Sequence, residues 1–385
     1  MPLRILVLNE RDLNNPLAGG AEVHLFENFE RLVAGGNDVT LLAATFEGGR
    51  KEEMVRGVRV KRLVNRYLYP FAVPFAARRE AASGRYDIVI DALNKLPMLS
   101  PWFVRLPCLA IVHHLFGITA FRQVSPPIAL VTYLAEKLIP YAYRRTVLVA
   151  ISPSTRDDLA ARGITPDNVV IIPPGLSLEV YKPAADAKPD VPLIVWLNRV
   201  EHYKRGDTLI DAMPAVLKSV PEARLVFVGD GNALASLRAQ ATRMGLNNSI
   251  EFAGFVDTAD KVRLLQQAQV LVNTSEKEGW GLTVMEGNAC GTPTVASNAP
   301  GLRDSVRDGT TGILVPHADP QELAAALIRV LENPELRMTF EDNAIEWARR
   351  FEWNALTNDL LQIMQQVAAG HEPPFKLTSS PFEDA

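Results

Sequence analysis

The chain has 385 residues, 48% of them hydrophobic and 22% charged, with a formal net charge of −4. That length exceeds a single ordinary core and points to two domains, and the near-neutral balance gives no sign of a nucleic-acid binder. Two cysteines leave no disulfide framework and no cysteine-based metal site, which fits a reducing cytoplasm, and no uncharged run reaches the roughly 18 residues a membrane span needs.

Short β-rich runs alternate with longer helical stretches from end to end. In the first half strands are expected at 5–9, 38–43, 58–63, 88–91, 109–113, 147–151 and 169–172. In the second half they are expected at 193–198, 224–229, 249–253, 270–273, 293–297 and 312–315. These runs are mostly continuous rather than alternating, as buried parallel strands require. The pattern predicts two doubly wound α/β domains. Ligands of such sheets lie beyond the carboxyl ends of the strands, and with two domains the expected site is the cleft between them.

After the first strand, Asn14-Asn15-Pro16-Leu17-Ala18-Gly19-Gly20-Ala21-Glu22 leads into a helix. Gly19 and Gly20 can bring backbone N–H groups near a phosphate or sugar, or can form a plain strand-to-helix turn. No third glycine completes a dinucleotide fingerprint. Further on, Lys61-Arg62, Arg66-Tyr67-Leu68-Tyr69-Pro70-Phe71, Arg78-Arg79, Trp102-Phe103 and Arg105 form a basic, aromatic stretch. It fits an anionic membrane surface, or a buried aromatic core with a solvated basic edge, and the second is the expectation. The charge is lopsided in the same sense: residues 1–182 hold 22 Lys/Arg against 17 Asp/Glu, the remainder 18 against 27. Strand 109–113 ends in His113-His114. Adjacent strand residues point to opposite faces, so the two imidazoles do not readily share one metal ion.

A proline-bearing, non-periodic stretch around 183–192 reads as a linker between domains 1–182 and 193–345. The strand after it runs into Asn198-Arg199-Val200-Glu201-His202-Tyr203-Lys204-Arg205-Gly206. Arg199 and Lys204, beside a helix start, are suited to a diphosphate, Arg by its fork and Lys as a point charge. Strand 270–273 leads into Ser275-Glu276-Lys277-Glu278-Gly279-Trp280-Gly281-Leu282, and a helix opens near Leu282. Its glycines allow close backbone approach, its first N–H groups suit a phosphate, and the carboxylate of Glu286 can accept hydrogen bonds from the vicinal hydroxyls of a ribose. Loop contacts around Gly254-Phe255-Val256 are the expected place for base recognition. A last helical region, 346–369, precedes a polar tail, 370–385, expected to be disordered.

These motifs carry a resemblance. Glu278 and Glu286 in the Glu-Gly-Trp-Gly-Leu context, Arg199 with Lys204, Pro300-Gly301-Leu302-Arg303-Asp304, Gly19-Gly20-Ala21-Glu22 and the His113-His114 region resemble the family 4 retaining glycosyltransferases of GT-B fold. The resemblance implies two Rossmann-like domains facing each other across a cleft, an N-terminal acceptor side, a C-terminal nucleotide-sugar side, and a final helix crossing back to the first domain. It implies that Arg199 and Lys204 hold the donor diphosphate and that Glu286 binds the ribose. Glu278 and the amides of Gly279, Trp280, Gly281 and Leu282 would face the transferred sugar and its phosphate. The active-site histidine would be His113, with His114 as the fallback. The family usually has Lys directly before Gly, whereas here Arg205 intervenes between Lys204 and Gly206.

The implied reaction moves a hexosyl unit from a nucleotide-diphosphate sugar to a sugar, lipid-linked or other small acceptor, with no cofactor and no metal. No Asp-x-Asp tripeptide occurs in the chain. The expected place is the cytoplasm, with peripheral contact to the inner face of the cell membrane left open. Two alternatives stand beside it: a catalytically silent sugar-nucleotide-binding partner of a polysaccharide assembly, which would not leak donor to water, and a sugar-nucleotide epimerase of the same architecture.

Overall fold

The structure is a computed structural model that describes residues 2–94, 96–117, 121, 125–186, 188–375, 377 and 380–382. The chain divides into two compact units. Residues 1–175 with 353–385 form the first, and residues 176–352 the second.

Unit 1 runs β1 (Arg4–Leu8), α1 (Gly20–Ala34), β2 (Asp38–Thr45), β3 (Glu52–Val55), β4 (Val58–Asn65), α2 (Tyr69–Ala81), β5 (Ile88–Leu93), β6 (Cys108–Val112), α3 (Pro126–Lys137), α4 (Ile139–Ala142), β7 (Val147–Ala150), α5 (Pro153–Ala161) and β8 (Val169–Ile171). The sheet order is β3-β4-β2-β1-β5-β6-β7-β8. Only β3 runs antiparallel, paired with β4. Central β1 lies between β2 and β5, in parallel with both. Buried Ile5, Leu6, Val7 and Leu8 fill both faces of β1, which is why it reads as one unbroken apolar run. Helix α1 buries Leu25, Phe26, Phe29 and Leu32 along one stripe.

Unit 2 runs β9 (Leu193–Leu197), α6 (Gly206–Ser219), β10 (Arg224–Val228), α7 (Leu234–Arg243), β11 (Ile250–Gly254), α8 (Thr258–Gln267), β12 (Val270–Asn273), α9 (Leu282–Ala289), β13 (Thr294–Ser297), α10 (Leu302–Ser305), β14 (Gly312–Val315), α11 (Pro320–Glu332) and α12 (Pro334–Arg349). Its parallel order, β11-β10-β9-β12-β13-β14, reverses direction between β9 and β12. The loops leaving those two strands therefore flank the switch point of a doubly wound sheet, where such folds bind ligands.

All thirteen expected strands are present, each within two residues of its expected bounds. Edge strand β3 was not expected, because Glu52-Glu53-Met54-Val55 is polar and has only Val55 buried.

The crossings between units differ from expectation in detail. The first unit ends at Gly175, ahead of the 183–192 stretch, because Leu176 already donates to the carbonyl of Phe351 and bridges to Glu352. The stretch itself is tied to unit 2: Lys188 Nζ donates to Glu341 (2.7 Å) and to the carbonyl of Gly291 (2.7 Å). The expected helix over 346–369 is two helices. Trp347 closes α12 against Phe351, a ring contact at 4.8 Å inside unit 2. Helix α13 (Trp353–Ala368) returns to unit 1, where it packs on α1, β5 and β6. Of the expected tail, residues 376, 378–379 and 383–385 lie outside the described residues, and those described form neither helix nor strand.

The basic, aromatic stretch is not the buried core it was expected to be. Tyr69 is buried, but Tyr67 (68% exposed), Phe71 (73%), Phe75 (79%), Leu68 and Trp102 face outward. Arg66, Arg78, Arg79 and Arg105 are exposed with them. Arg62 instead lies wholly inside, its guanidinium forked onto both carboxylate oxygens of Asp12 at 2.7 Å and onto Glu53.

Candidate active site

In unit 2, β9 delivers the chain into the loop that carries Arg199 and Lys204. That loop is held by a neighbour the sequence reading passed over. Val200 donates to the carbonyl of Asp230, and Ala233 donates back to Val200. Gly229 (φ +126°) and Gly231 (φ +157°) flank Asp230, and a Cβ on either would sit within 2.4 Å of the Asn198 or Val200 carbonyl. Only glycine fits there. Gly229-Asp230-Gly231 straight after a strand was the available signal.

Arg199 is exposed. Lys204 is buried, and its ammonium is ion-paired with Glu278 from the loop after β12. Arg205, the residue interposed before Gly206, adopts the left-handed conformation (φ +52°) and turns its guanidinium onto Asp207 at 2.9 Å. Of the two adjacent cations, the structure thus brings Lys204 to Glu278. Burial pushes the Glu278 carboxyl up, but the Lys204 charge and hydrogen bonds from Lys204 and Ser275 outweigh it and hold the group below its usual range. Glu278 is a carboxylate at neutral pH.

The loop from Thr274 to Gly281 is pinned on several sides. Thr274 Oγ1 receives Trp196 Nε1 (3.1 Å) and donates to the Lys204 carbonyl (2.8 Å), Glu276 N donates to the Tyr203 carbonyl, and Glu278 N to the Pro300 carbonyl. Gly301 (φ +80°) allows this last approach, since a Cβ there would lie 2.4 Å from the Glu278 carbonyl oxygen. Gly281 (φ +94°) caps α9, and Leu282 opens it. Gly279 is half-buried on the same loop. Trp280 is 2% exposed and packs on Phe351 at 5.2 Å, so only its backbone is left to meet a ligand.

Glu286 Oε1 takes Lys261 Nζ from α8 at 2.7 Å, while its Oε2 is buried with no hydrogen-bond partner. That oxygen is an acceptor still able to take a hydrogen bond. Lys261 was not foreseen; its partner lies 25 residues away on another helix. Val256 is half-buried against the β9–β12 side of the core, next to the exposed Phe255.

In unit 1 the loops after β1, β5 and β6 bring together the remaining candidates. Glu22 reaches back to the N–H of Gly19 (2.7 Å) and accepts Asn94 Nδ2 (2.8 Å). The Gly19 amide is therefore occupied, and Gly20 is the exposed one of the pair. His113 is 3% exposed; its Nε2 meets His24 Nδ1 at 3.0 Å and its Nδ1 has no partner. Burial, with His24 and His114 beside it, drives its basicity well below that of an ordinary histidine, so the ring is neutral. His114 is half-buried, with its ring against Phe116 at 4.5 Å. Glu136 accepts the amides of Phe116 and Gly117, each at 2.7 Å, and so anchors the loop after His114.

Comparison with known proteins covers both units. The family described as Glycosyl transferases group 1 matches residues 179–347, and Glycosyltransferase Family 4 matches residues 18–180. Among curated relatives, a phosphatidyl-myo-inositol mannosyltransferase of Mycobacterium leprae is 28% identical, over 91% of this chain and 94% of its own. A D-inositol 3-phosphate glycosyltransferase of Thermomonospora curvata is 27% identical, over 90% of each. Among solved structures, sucrose-phosphate synthase of Thermosynechococcus elongatus aligns with a TM-score of 0.78 at 23% identity, over 96% of this chain and 100% of its own. Anabaena HepE in complex with UDP-glucose aligns at 0.74 and 21%, over 94% and 100%. At such identities the solved structures speak to the shared fold, two Rossmann-like units. Among the described residues no helix is long and apolar enough to cross a membrane.

Proposed function

This chain belongs to the group 1, family 4 glycosyltransferases, enzymes that use nucleotide sugars, and from that membership we propose that it transfers a hexosyl unit, with retention, to a hydroxyl of a sugar, cyclitol, lipid-linked or polysaccharide-precursor acceptor. The observation that carries the donor half of this reading is the pairing of Lys204 with Glu278 across the switch point of unit 2, beside the start of α9. Arg199 and Lys204 take the diphosphate, and the helix start supplies N–H groups and a positive dipole end. Glu286, with one oxygen on Lys261 and one open, takes the ribose hydroxyls. Within unit 2 Glu278 is assigned to the transferred sugar and the loop at Val256 to the base; within unit 1 the family pattern assigns His113 to the sugar.

In the reaction the bond from the anomeric carbon to the phosphate oxygen breaks, and its electron pair leaves with the nucleoside diphosphate. The acceptor oxygen bonds to the same face of that carbon, and its proton passes to the departing phosphate oxygen. The dominant demand is to stabilise charge growing on the leaving group, which preorganised cations and amides do at no reorganisation cost. In this reading the positive charge comes from side chains and a helix start, so no metal is required. The two curated relatives carry inositol in their names; a polyhydroxylated ring acceptor is the first to test here.

A thermal-shift screen of UDP-, GDP- and ADP-sugars identifies the donor, since a ligand at 100 times its Kd adds about 2.7 kcal/mol. With that donor, Arg199→Ala and Lys204→Ala each lower kcat by about two to three orders of magnitude. Arg199→Ala keeps the parent melting temperature because the side chain is exposed. Lys204→Ala melts lower, because it strips Glu278 of its counter-charge. Near-normal turnover in both variants removes the phosphate site.

A second reading concerns where the enzyme works. The outward aromatic set on α2 and beside it, interleaved with arginines, suits the headgroup layer of an anionic membrane. We infer peripheral attachment through this face, on the cytoplasmic side. Co-sedimentation with vesicles rich in anionic lipid, lost with neutral vesicles and weakened at least tenfold in a Phe71→Ser/Phe75→Ser variant, supports it; equal recovery of parent and variant ends it.

A further inference from the structure

His24, which neither the sequence motifs nor the family reading single out, is the partner of the histidine assigned to the sugar. It sits on α1, two residues after the Glu22 that ties down the glycine turn. Its Nδ1 lies 3.0 Å from His113 Nε2, and the rings meet edge to face at 79°. On its other flank, His24 stacks on Trp353, the first residue of α13, with ring centroids 5.8 Å apart and planes 24° apart. Arg31, about two turns further along α1, also lies over the Trp353 ring, at 5.4 Å. Asn28 fastens the same stretch: it donates to the His24 carbonyl (2.9 Å) and accepts Thr357 Oγ1 of α13 (3.0 Å). The His24 ring is therefore fixed in place by packing from two helices, and it can fix the ring it touches.

Both imidazoles are buried, and burial holds both neutral, His24 down to about 4. Two neutral rings share one N–H across that contact, so the proton belongs either to His24 Nδ1 or to His113 Nε2. The unpartnered Nδ1 of His113 decides between them. If His24 donated, His113 would carry its own proton on Nδ1, leaving a buried N–H with no acceptor, a costly arrangement that folded proteins rarely keep. If His113 donates, Nδ1 is a bare lone pair, which is tolerated better and is ready for a donor.

We propose that His24 is a positioning residue for the transfer reaction: by accepting the Nε2–H of His113 it locks that ring in one tautomer and leaves the Nδ1 lone pair to accept a hydrogen bond from a hydroxyl of the donor sugar. This rests on the reading of His113 as a sugar-facing residue. The proposed contact is to a hydroxyl, a hydrogen-bond donor, and not to a phosphate oxygen, which could only accept.

The test uses the full-length protein labelled with 15N-histidine. Long-range ring spectra of the parent at pH 7.5 are expected to show His113 protonated at Nε2 and bare at Nδ1; the opposite tautomer overturns the proposal. His24→Leu is expected to lower kcat about 30-fold with donor KM within twofold, the size of loss that slight misplacement of a reacting group produces. His24→Asn, whose amide oxygen can stand where Nδ1 stood, is expected to recover most of the rate and the parent tautomer. The His24→Leu/His113→Ala double variant is expected to be no slower than His113→Ala alone, as for two residues acting as one unit. Normal kcat in His24→Leu, or multiplicative losses in the double variant, overturns the assignment to His24. A normal rate in His113→Ala instead removes the reading of His113 on which it stands, and the two failures are told apart by that single variant. If His24→Leu does not fold, the parent spectrum and His24→Asn carry the test.

Discussion

At the scale of single residues, the two units handle charge in opposite ways. Unit 2 buries Lys204 against Glu278, and the ammonium helps hold that carboxyl below its usual range. Unit 1 buries His24 and His113 against each other as a neutral pair. The second arrangement makes stability depend on pH. His24 titrates near its ordinary 6.5 in the unfolded chain but only at about 4 when folded. Between those values the unfolded chain binds the extra proton, so stability is complete above pH 6.5 and declines as pH falls toward 4. His113 shifts in the same direction and adds to the decline. At pH 5 the His24 contribution alone is on the order of 2 kcal/mol. Urea midpoints compared at pH 7.5 and pH 5 should fall for the parent and fall less for His24→Asn; an equal fall in both would place the acid sensitivity elsewhere. Neither histidine announces this in the sequence. His113 was visible as a polar residue closing an apolar strand, whereas His24 is one more polar position on a helix, and its partner is 89 residues distant.

At the scale of elements, the loop after β12 is shaped by what its neighbours lack. Gly301 belongs to the next connection, after β13, yet the missing Cβ there is what lets Glu278 donate its N–H to Pro300. Gly301→Ala combines a positive φ with a collision against backbone, so it should cost about 1–3 kcal/mol and push the Glu278 loop out of place. The expected result is a lower melting point together with a thermal shift by the donor nucleotide sugar that is largely abolished. A variant that melts lower but keeps the full ligand-induced shift would separate the glycine from the donor site. The strands were legible because parallel strands buried on both faces are written as continuous apolar runs. β3 was not, because an edge strand with one buried residue carries no such run. The loop positions of Arg199, Lys204, Glu278 and Gly281 were legible from their place after strands. The engagement of Gly19 by Glu22, of Glu286 by Lys261 and of Arg205 by Asp207 was not, since side-chain pairing across elements leaves no periodic trace.

At the scale of the whole chain, unit 2 is a single stretch and unit 1 is not. Residues 1–175 lack the helix that covers α1, and α13 brings Trp353, Leu356, Leu360, Ile363 and Met364 to that face, all buried. Produced alone, residues 176–352 should unfold cooperatively in urea, whereas residues 1–175 should bind a hydrophobic dye and show no sharp transition until α13 is restored, either fused or as a separate peptide. A sharp transition in 1–175 alone would mean that the returning helix is dispensable. The boundary itself was misread at the level of composition. Prolines and polar residues near 183–192 look like a free connector, but Lys188 and its bonds to Glu341 and Gly291 make it part of unit 2.

The noncontiguous build of unit 1 also orders events during synthesis. The first 175 residues leave the ribosome early, yet the apolar strip of α1 has nothing to lie against until residues 353–368 have been made. Unit 2 can close in the meantime, while the half-built N-terminal sheet waits with Leu25, Phe26 and Phe29 only partly sheltered. A nascent chain stalled short of residue 353 should therefore be a client for ribosome-associated chaperones, and release from them should coincide with the emergence of Trp353.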